Sequence, residues 1–187
     1  GIITREDLSR YTPVWRTPIR TGFREYTLLS MPPSSSGGVT TAESLNILEQ
    51  YPTLPAYGST RWFHLVGSAY QRAFIDRNAK LADPAFVPVP LAQLTSKTYA
   101  RQLQGTISET RATPTRELEP RMQALPREPE HTTHYSVVDS SGNAVSNTYT
   151  LNFPYGVGLV AEGTGVLLNN ELDDFTAAPG ASNAFGL

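Results

Sequence analysis

The stretch HTTHYSVVDSSGNAVSNTYTLN, residues 131–152, decides how this chain is read. Residues 133–138 alternate in the manner of a strand, Asp139-Ser140-Ser141-Gly142-Asn143 is turn chemistry, and residues 144–151 return as a second strand. The result is a hairpin with a loop longer than two residues. Thr132 and Thr133 open it, and Thr150 and Asn152 close it.

The segment before the hairpin differs in kind. Residues 108–130, SETRATPTRELEPRMQALPREPE, carry Pro114, Pro120, Pro126 and Pro129 among mixed charges. Prolines remove backbone donors and the charges hold solvent, so the expectation is a linker or mobile loop without regular elements. The segment after the hairpin is glycine-rich: FPYGVGLVAEGTGVLLNN, residues 153–170, reads as a loop around Gly156 and Gly158 and then a short strand at 166–168. ELDDF, residues 171–175, brings three carboxylates together, and TAAPGASNAFGL ends the chain as a loop.

The first 107 residues are mostly helical. A short helix at about 5–11 is capped by Thr4, with Asp7 in a capping-box position. Residues 14–21 read as an edge strand because Pro18 removes a ladder donor, with Gly22 as the turn. Residues 23–31 read as its neighbour, buried on both faces at Leu28-Leu29. MPPSSSGG, residues 31–38, turns the chain into a helix at about 39–50 with Ala42, Leu45 and Ile47/Leu48 inward. A serine–glycine loop before a helix could hold an anion, but the plainer reading is a connection, and no Walker lysine follows. Ser59 caps a long helix over 60–80 with Trp62, Leu65, Val66, Ala69 and Ala73 on one face, a stripe that reads as core. His64 within it reads as an ordinary histidine. A further helix spans about 91–104, anchored by Leu94 and Leu103 and stopped at Gly105.

Composition narrows the classes. A chain of 187 residues suits one domain with a sizeable core. Its 39% hydrophobic and 17% charged content is that of an ordinary soluble protein. A formal net charge of −2 offers no attraction for nucleic acid or anionic lipid. No apolar run approaches the ~18 residues of a membrane span. The lack of cysteine excludes disulfides and thiol catalysis. The chain opens at Gly1 without methionine or leader, which reads as part of a longer product or a mature form with any targeting signal upstream.

Spacing argues against rival chemistries. His131 and His134 lie three apart on a strand, where side chains alternate, so they do not converge on a metal. GVG and GTG lack the spacing of a dinucleotide loop. The acidic group Glu171, Asp173 and Asp174 reads either as a solvated loop or as a seat for an ammonium group or a hard cation.

TTHYSVVDSSGNAVSNTYTLN followed by GVLLNNELDDF closely resembles the γ-glutamyltransferases, N-terminal-nucleophile hydrolases made as a precursor that cuts itself into a large and a small subunit. SMPPSSSGG and the passage from the long helix to DPAFVPVP resemble the end of the large subunit. The resemblance runs over nearly the whole chain. It implies an α+β fold, a four-layer αββα sandwich that this chain holds in part. It assigns residues 1–131 to the large subunit, with 108–131 a flexible linker, and 132–187 to the small catalytic subunit.

By the same resemblance, cleavage at His131–Thr132 would make Thr132 chain-terminal and the nucleophile. A threonine hydroxyl needs a base. A terminal threonine carries its own amine, with a reference pKa of ~7.7–8.0, close enough to neutrality to take the proton. Thr150 matches the threonine that orients the nucleophile. Asn152, Glu171 and Asp174 match residues that hold the α-amino group of the γ-glutamyl moiety, whereas Asp173 reads as structural. The family's arginine for the substrate carboxylate falls before Gly1, and its paired serines and oxyanion-hole glycines fall beyond Leu187.

The implied activity is γ-glutamyl transfer or hydrolysis of glutathione and similar compounds, with water, an amino acid or a dipeptide as acceptor. It calls for no cofactor. Its macromolecular partners are the remaining parts of the two subunits, and its location is periplasmic or extracellular. The nearest alternative is a related acylase of the cephalosporin or poly-γ-glutamate type. An alternative of another class is a non-catalytic piece that never matures.

Overall fold

The computed structural model describes residues 3–119, 132–175 and 178. Contacts divide the chain into two compact units, Gly1–Met122 and Gln123–Leu187.

The first unit is built around one buried helix. Helix α1 (Arg5–Arg10) is capped as expected: the Thr4 hydroxyl accepts from Asp7 N–H while the Asp7 carboxylate accepts from Thr4 N–H at 2.7 Å. Strands β1 (Ile19–Phe23) and β2 (Tyr26–Ser30) form an antiparallel hairpin, pairing Ile19 with Ser30 and Phe23 with Tyr26. Two expectations fail here. Pro18 stands just before the strand rather than within it. Gly22 belongs to the ladder opposite Thr27, and the turn is Arg24–Glu25 instead. Arg24 adopts φ +55°, which a non-glycine residue seldom does. Tertiary contacts hold it there: its N–H donates to Glu49 Oε1 at 2.7 Å and its Nη2 donates to the Tyr51 carbonyl at 2.7 Å. Nor is β2 buried on both faces, since Leu29 is exposed.

Helix α2 (Gly37–Glu49) follows the serine loop. The expected inward face, Ala42 and Ile47/Leu48, is buried, but Leu45 is only half-buried, and Val39, Thr40, Glu43, Ser44 and Asn46 are buried as well. On a helix covered on nearly all sides, most polar groups find partners. Asn46 does so: its Oδ1 accepts from the Thr21 hydroxyl and its Nδ2 donates to the Thr95 carbonyl. Gly38 is required where α2 starts, because a Cβ there would meet the Met31 carbonyl oxygen at 2.0 Å.

Helix α3 (Thr60–Lys80) matches the expected span, with the Ser59 hydroxyl accepting from Trp62 N–H. Leu65, Ser68, Ala69, Arg72, Ala73 and Asp76 form its buried stripe at helical spacing. The single helix expected over 91–104 is two, α4 (Leu91–Leu94) and α5 (Lys97–Gln104). Ser96 separates them, its hydroxyl accepting from Tyr99 N–H as the cap of α5. Ile47, Leu48, Tyr51, Leu65, Ala69, Ala100 and Ile107 make one core cluster, and Ile19, Val39, Ala42 and Leu94 a second.

The start of the proline-broken segment is tied down. Residues 108–119 include a one-turn helix, α6 (Thr115–Leu118), where no regular element was expected. His64 Nε2 bonds the Ser108 carbonyl at 2.7 Å, and Gln71 Nε2 donates to the Thr113 carbonyl and the Thr115 hydroxyl. Pro114 takes the position before α6, where its missing N–H costs nothing. Residues 120–131, His131 among them, lie outside the described residues.

The second unit is a hairpin and a looped return. Strands β3 (Thr132–Val138) and β4 (Ala144–Thr150) pair antiparallel from Thr132 opposite Thr150 to Val138 opposite Ala144. Asp139 organises the connecting loop: its Oδ1 accepts from the N–H groups of Ser141 and Asn143, and its Oδ2 from Asn143 Nδ2. The glycine-rich return forms only an isolated bridge, Val160 opposite Leu167, in place of the expected strand at 166–168. Gly156 (φ +55°) lies so near this return that a Cβ would stand 2.0 Å from the Leu168 carbonyl oxygen. Residues Glu171–Asp174 then form one turn of 3₁₀ helix.

Candidate active site

Antiparallel pairing places directly opposed residues on one face, with Cβ atoms about 4.5–5.5 Å apart. Thr132 and Thr150 are such a pair. Thr133 is opposed to Tyr149 and therefore belongs to the other face. The hydroxyl-bearing face continues along the hairpin through His134 opposite Thr148 and Ser136 opposite Ser146. The opposite face carries Tyr135, Val137, Val145 and Tyr149, with the two tyrosine rings edge to face at 6.2 Å. The alternation that identified strands in the sequence thus separates a polar face from an apolar one.

Asn152 reaches this pair by a different route from the one expected. Alternation along β4 would put residues 150 and 152 on one face, but β4 stops at Thr150 and Asn152 turns out of the strand at φ +72°. The link is a backbone one: Asn152 N–H donates to Thr150 Oγ1 at 2.9 Å. The Asn152 side chain is buried, and its two amide protons go to the Asn170 carbonyl (3.0 Å) and Asp174 Oδ1 (3.2 Å). Its Oδ1 is then the atom left to accept from a ligand.

Glu171 and Asp174 begin and end the 3₁₀ turn. Its three-residue period eclipses side chains at i and i+3, so both stand on one side. Asp173 accepts instead from Asn170 Nδ2 at 2.8 Å. A half-buried Glu171, an exposed Asp174 and the Asn152 amide oxygen are the acceptors an ammonium group requires. Among the described residues, no group of three or more His, Asp or Glu side chains is arranged to hold a metal ion.

Asn170 was not singled out in the sequence, yet it joins the site together. Its N–H donates to the Leu151 carbonyl, its Oδ1 accepts from Phe153 N–H, and its own carbonyl accepts from Asn152. The Asn169-Asn170 pair before an acidic turn was a legible signal, because asparagine side chains commonly close such turns.

The family model for γ-glutamyltranspeptidase matches residues 1–187. The chain belongs to the γ-glutamyltranspeptidase family. It is 47% identical over 188 residues to the glutathione hydrolase proenzyme of Escherichia coli K12, a match covering all of this chain and 32% of that protein. The chain therefore spans about a third of the length of this curated relative. Among solved structures, it is similar to Helicobacter pylori γ-glutamyltranspeptidase, at TM-score 0.61 and 37% identity over 70% of this chain and 37% of that one. It is also similar to the cephalosporin acylase of Bacillus halodurans, at TM-score 0.70 and 29% identity over 97% of this chain and 31% of that one. The α+β, N-terminal-nucleophile hydrolase fold expected from the sequence is that of these γ-glutamyltranspeptidase and acylase structures.

Proposed function

We propose that the protein containing this chain transfers or hydrolyses γ-glutamyl groups through an ester on Thr132, after cutting itself between His131 and Thr132. The observation that carries this reading is the linkage of two functions in one unit. Thr132 faces Thr150, and Thr150 connects through Asn152 to Asp174.

In the precursor, Thr132 Oγ attacks the His131 carbonyl carbon. The C–N bond breaks, the nitrogen takes the proton, and water opens the resulting ester. Thr132 is left with a free hydroxyl and a free amine. In turnover, the hydroxyl attacks the γ-carbonyl of the donor while the amine takes its proton. The leaving amine departs with that proton, and water or an acceptor amine then attacks the acyl-threonine ester. Thr150 orients the hydroxyl of Thr132. Asn152 Oδ1, Glu171 and Asp174 receive the donor's α-ammonium group.

This reading makes residues 1–131 the end of a large subunit and 132–187 the start of a small one, with the remaining parts of both as partners. Glutathione and related γ-glutamyl compounds are the donors, with water, amino acids or dipeptides as acceptors. The location would be periplasmic or extracellular. No helix among the described residues is long and apolar enough to cross a membrane.

The likeness to a cephalosporin acylase supports a second reading, an acylase acting on a side chain without an α-amino group. The grouping of the Asn152 amide oxygen with the Glu171 and Asp174 carboxylates favours the γ-glutamyl substrate, since a glutaryl group has no ammonium to offer them. The test uses a full-length protein built on this sequence. Intact mass should show cleavage before Thr132, and turnover should be faster on γ-glutamyl than on glutaryl anilide. A single uncleaved chain, or a preference for glutaryl anilide, overturns the reading.

A further inference from the structure

On the hydroxyl face of the hairpin, the proposed mechanism leaves the imidazole of His134 without a role. His134 lies two residues from Thr132 on β3, hence on the same face, and opposite Thr148 on β4. It is also the diagonal neighbour of Thr150. Its ring is held at both nitrogens by hydroxyls of the other strand: Nδ1 bonds Thr148 Oγ1 at 2.6 Å and Nε2 bonds Ser146 Oγ at 3.1 Å. Ser136 Oγ lies 3.4 Å from the same Nε2.

In either neutral tautomer the ring gives a proton to one β4 hydroxyl and takes one from another, so the bracing does not depend on which nitrogen carries the hydrogen. The ring is therefore pinned in the rung next to the Thr132–Thr150 pair. A threonine side chain has three staggered χ1 wells. At a freed chain end, neighbouring groups have to select among them. A fixed ring on one side and Thr150 across the ladder are the two neighbours this face supplies.

We propose that His134 is a positioning residue for the nucleophile. Locked to Thr148, it fixes the rung beside Thr132 and Thr150 and so holds the Thr132 hydroxyl in line for acyl transfer. The proposal rests on the reading of Thr132 as the nucleophile. It predicts that the His134–Thr148 bond matters for reaction geometry rather than for donor binding. Misplacing a reacting group by a fraction of an ångström to an ångström costs ~10- to 100-fold in rate.

The test uses the full-length protein and steady-state kinetics on γ-glutamyl anilide, with self-cleavage followed by intact mass. His134→Ala should lower kcat ~10- to 100-fold with KM within about threefold, and should slow self-cleavage. His134→Asn, whose amide can occupy the place of Nδ1, should recover most of the rate. Thr148→Val should lose about as much as His134→Ala, and the double variant should be no worse than the poorer single one. Should His134→Ala fail to fold, the other two variants decide: the proposal then requires both a lowered kcat in Thr148→Val and a near-wild-type kcat in His134→Asn. Wild-type kcat in His134→Ala or in Thr148→Val, losses that multiply in the double variant, or a loss carried by KM each overturns the proposal. These outcomes leave the function intact as long as the wild type turns over γ-glutamyl anilide. A wild type that cleaves itself yet ignores that substrate overturns the functional reading instead.

Discussion

Thr132 and Thr150 stand directly opposite each other at the open end of the β3–β4 ladder, while Thr133 stands opposite Tyr149 on the other face. Two adjacent threonines are thus chemically alike but geometrically inequivalent. In a full-length protein, Thr132→Ala should remain a single chain, and Thr133→Ala should still divide in two. Denaturing gels and intact mass read the outcome. Cleavage in the Thr132 variant would mean that another residue or a protease makes the cut.

Asp174 receives the Asn152 amide and sits in the 3₁₀ turn three residues from Glu171. Removing one partner of a buried charge pair costs about 2–5 kcal/mol, and a bound donor would bury this one. Asp174→Ala should therefore reduce kcat/KM for a γ-glutamyl substrate by a factor on the order of 30 to several thousand. The loss should be far smaller on a glutaryl analogue that lacks the ammonium. Equal losses on both substrates would assign Asp174 to the loop alone.

Glu43 lies fully buried on α2, and its Oε1 has no hydrogen-bond partner. Burial first, and then the neighbouring Asp76 carboxylate, push its carboxyl up to about 9, partly opposed by Lys80. The folded protein therefore holds a proton that the unfolded chain releases near the ordinary value of 4.5. Stability from this group is fully present below the unfolded pKa and is lost as pH rises towards 9. Glu43→Gln, which mimics the protonated acid, should flatten this slope. Thermal unfolding should show the variant more stable than wild type by several degrees at pH 8, with little difference at pH 4. A wild-type slope that persists in the variant would place its cause elsewhere.

Gly156 faces the Leu168 carbonyl with no room for a Cβ, and its φ of +55° is unfavourable for alanine. Gly156→Ala should destabilise the glycine-rich return by roughly 1–3 kcal/mol. Because that return leads to Asn170, the variant should also weaken donor binding. Hydrogen exchange would show the loosening as faster exchange at Val157 and Leu168, whose N–H groups donate to the Leu168 and Leu159 carbonyls in this return. Unchanged exchange at both would show that the backbone relieves the contact without loss.

The hairpin, the Thr4 cap and the long helix from Thr60 were legible because each is written locally. Strand alternation, a capping residue and a 3.6-residue stripe act over a few neighbours. A hairpin with a five-residue loop was legible in the sequence, and the register that sets Thr132 opposite Thr150 comes from the structure. The turn at Arg24–Glu25 was not legible, because its left-handed residue is stabilised by Glu49 at the end of α2 and by Tyr51 just beyond it. Nor was the split between α4 and α5 read, although Ser96 marked it, because the stripe from Leu94 to Leu103 masked the cap.

At the site, sequence spacing put Glu171 and Asp174 three residues apart, but the 3₁₀ turn decides that they share a side. Alternation suggested that Asn152 continues the face of Thr150. The structure replaces that with a bent backbone whose N–H meets the Thr150 hydroxyl and whose side chain meets Asp174. The sequence by itself determined which chemical groups are available and which lie on one strand face, because those depend on residue identity and backbone period. Only the tertiary structure decided how Asn170 ties the strand end to the acidic turn and how His134 is pinned beside Thr132. Those contacts join residues 12 to 19 positions apart, and no local periodicity encodes them.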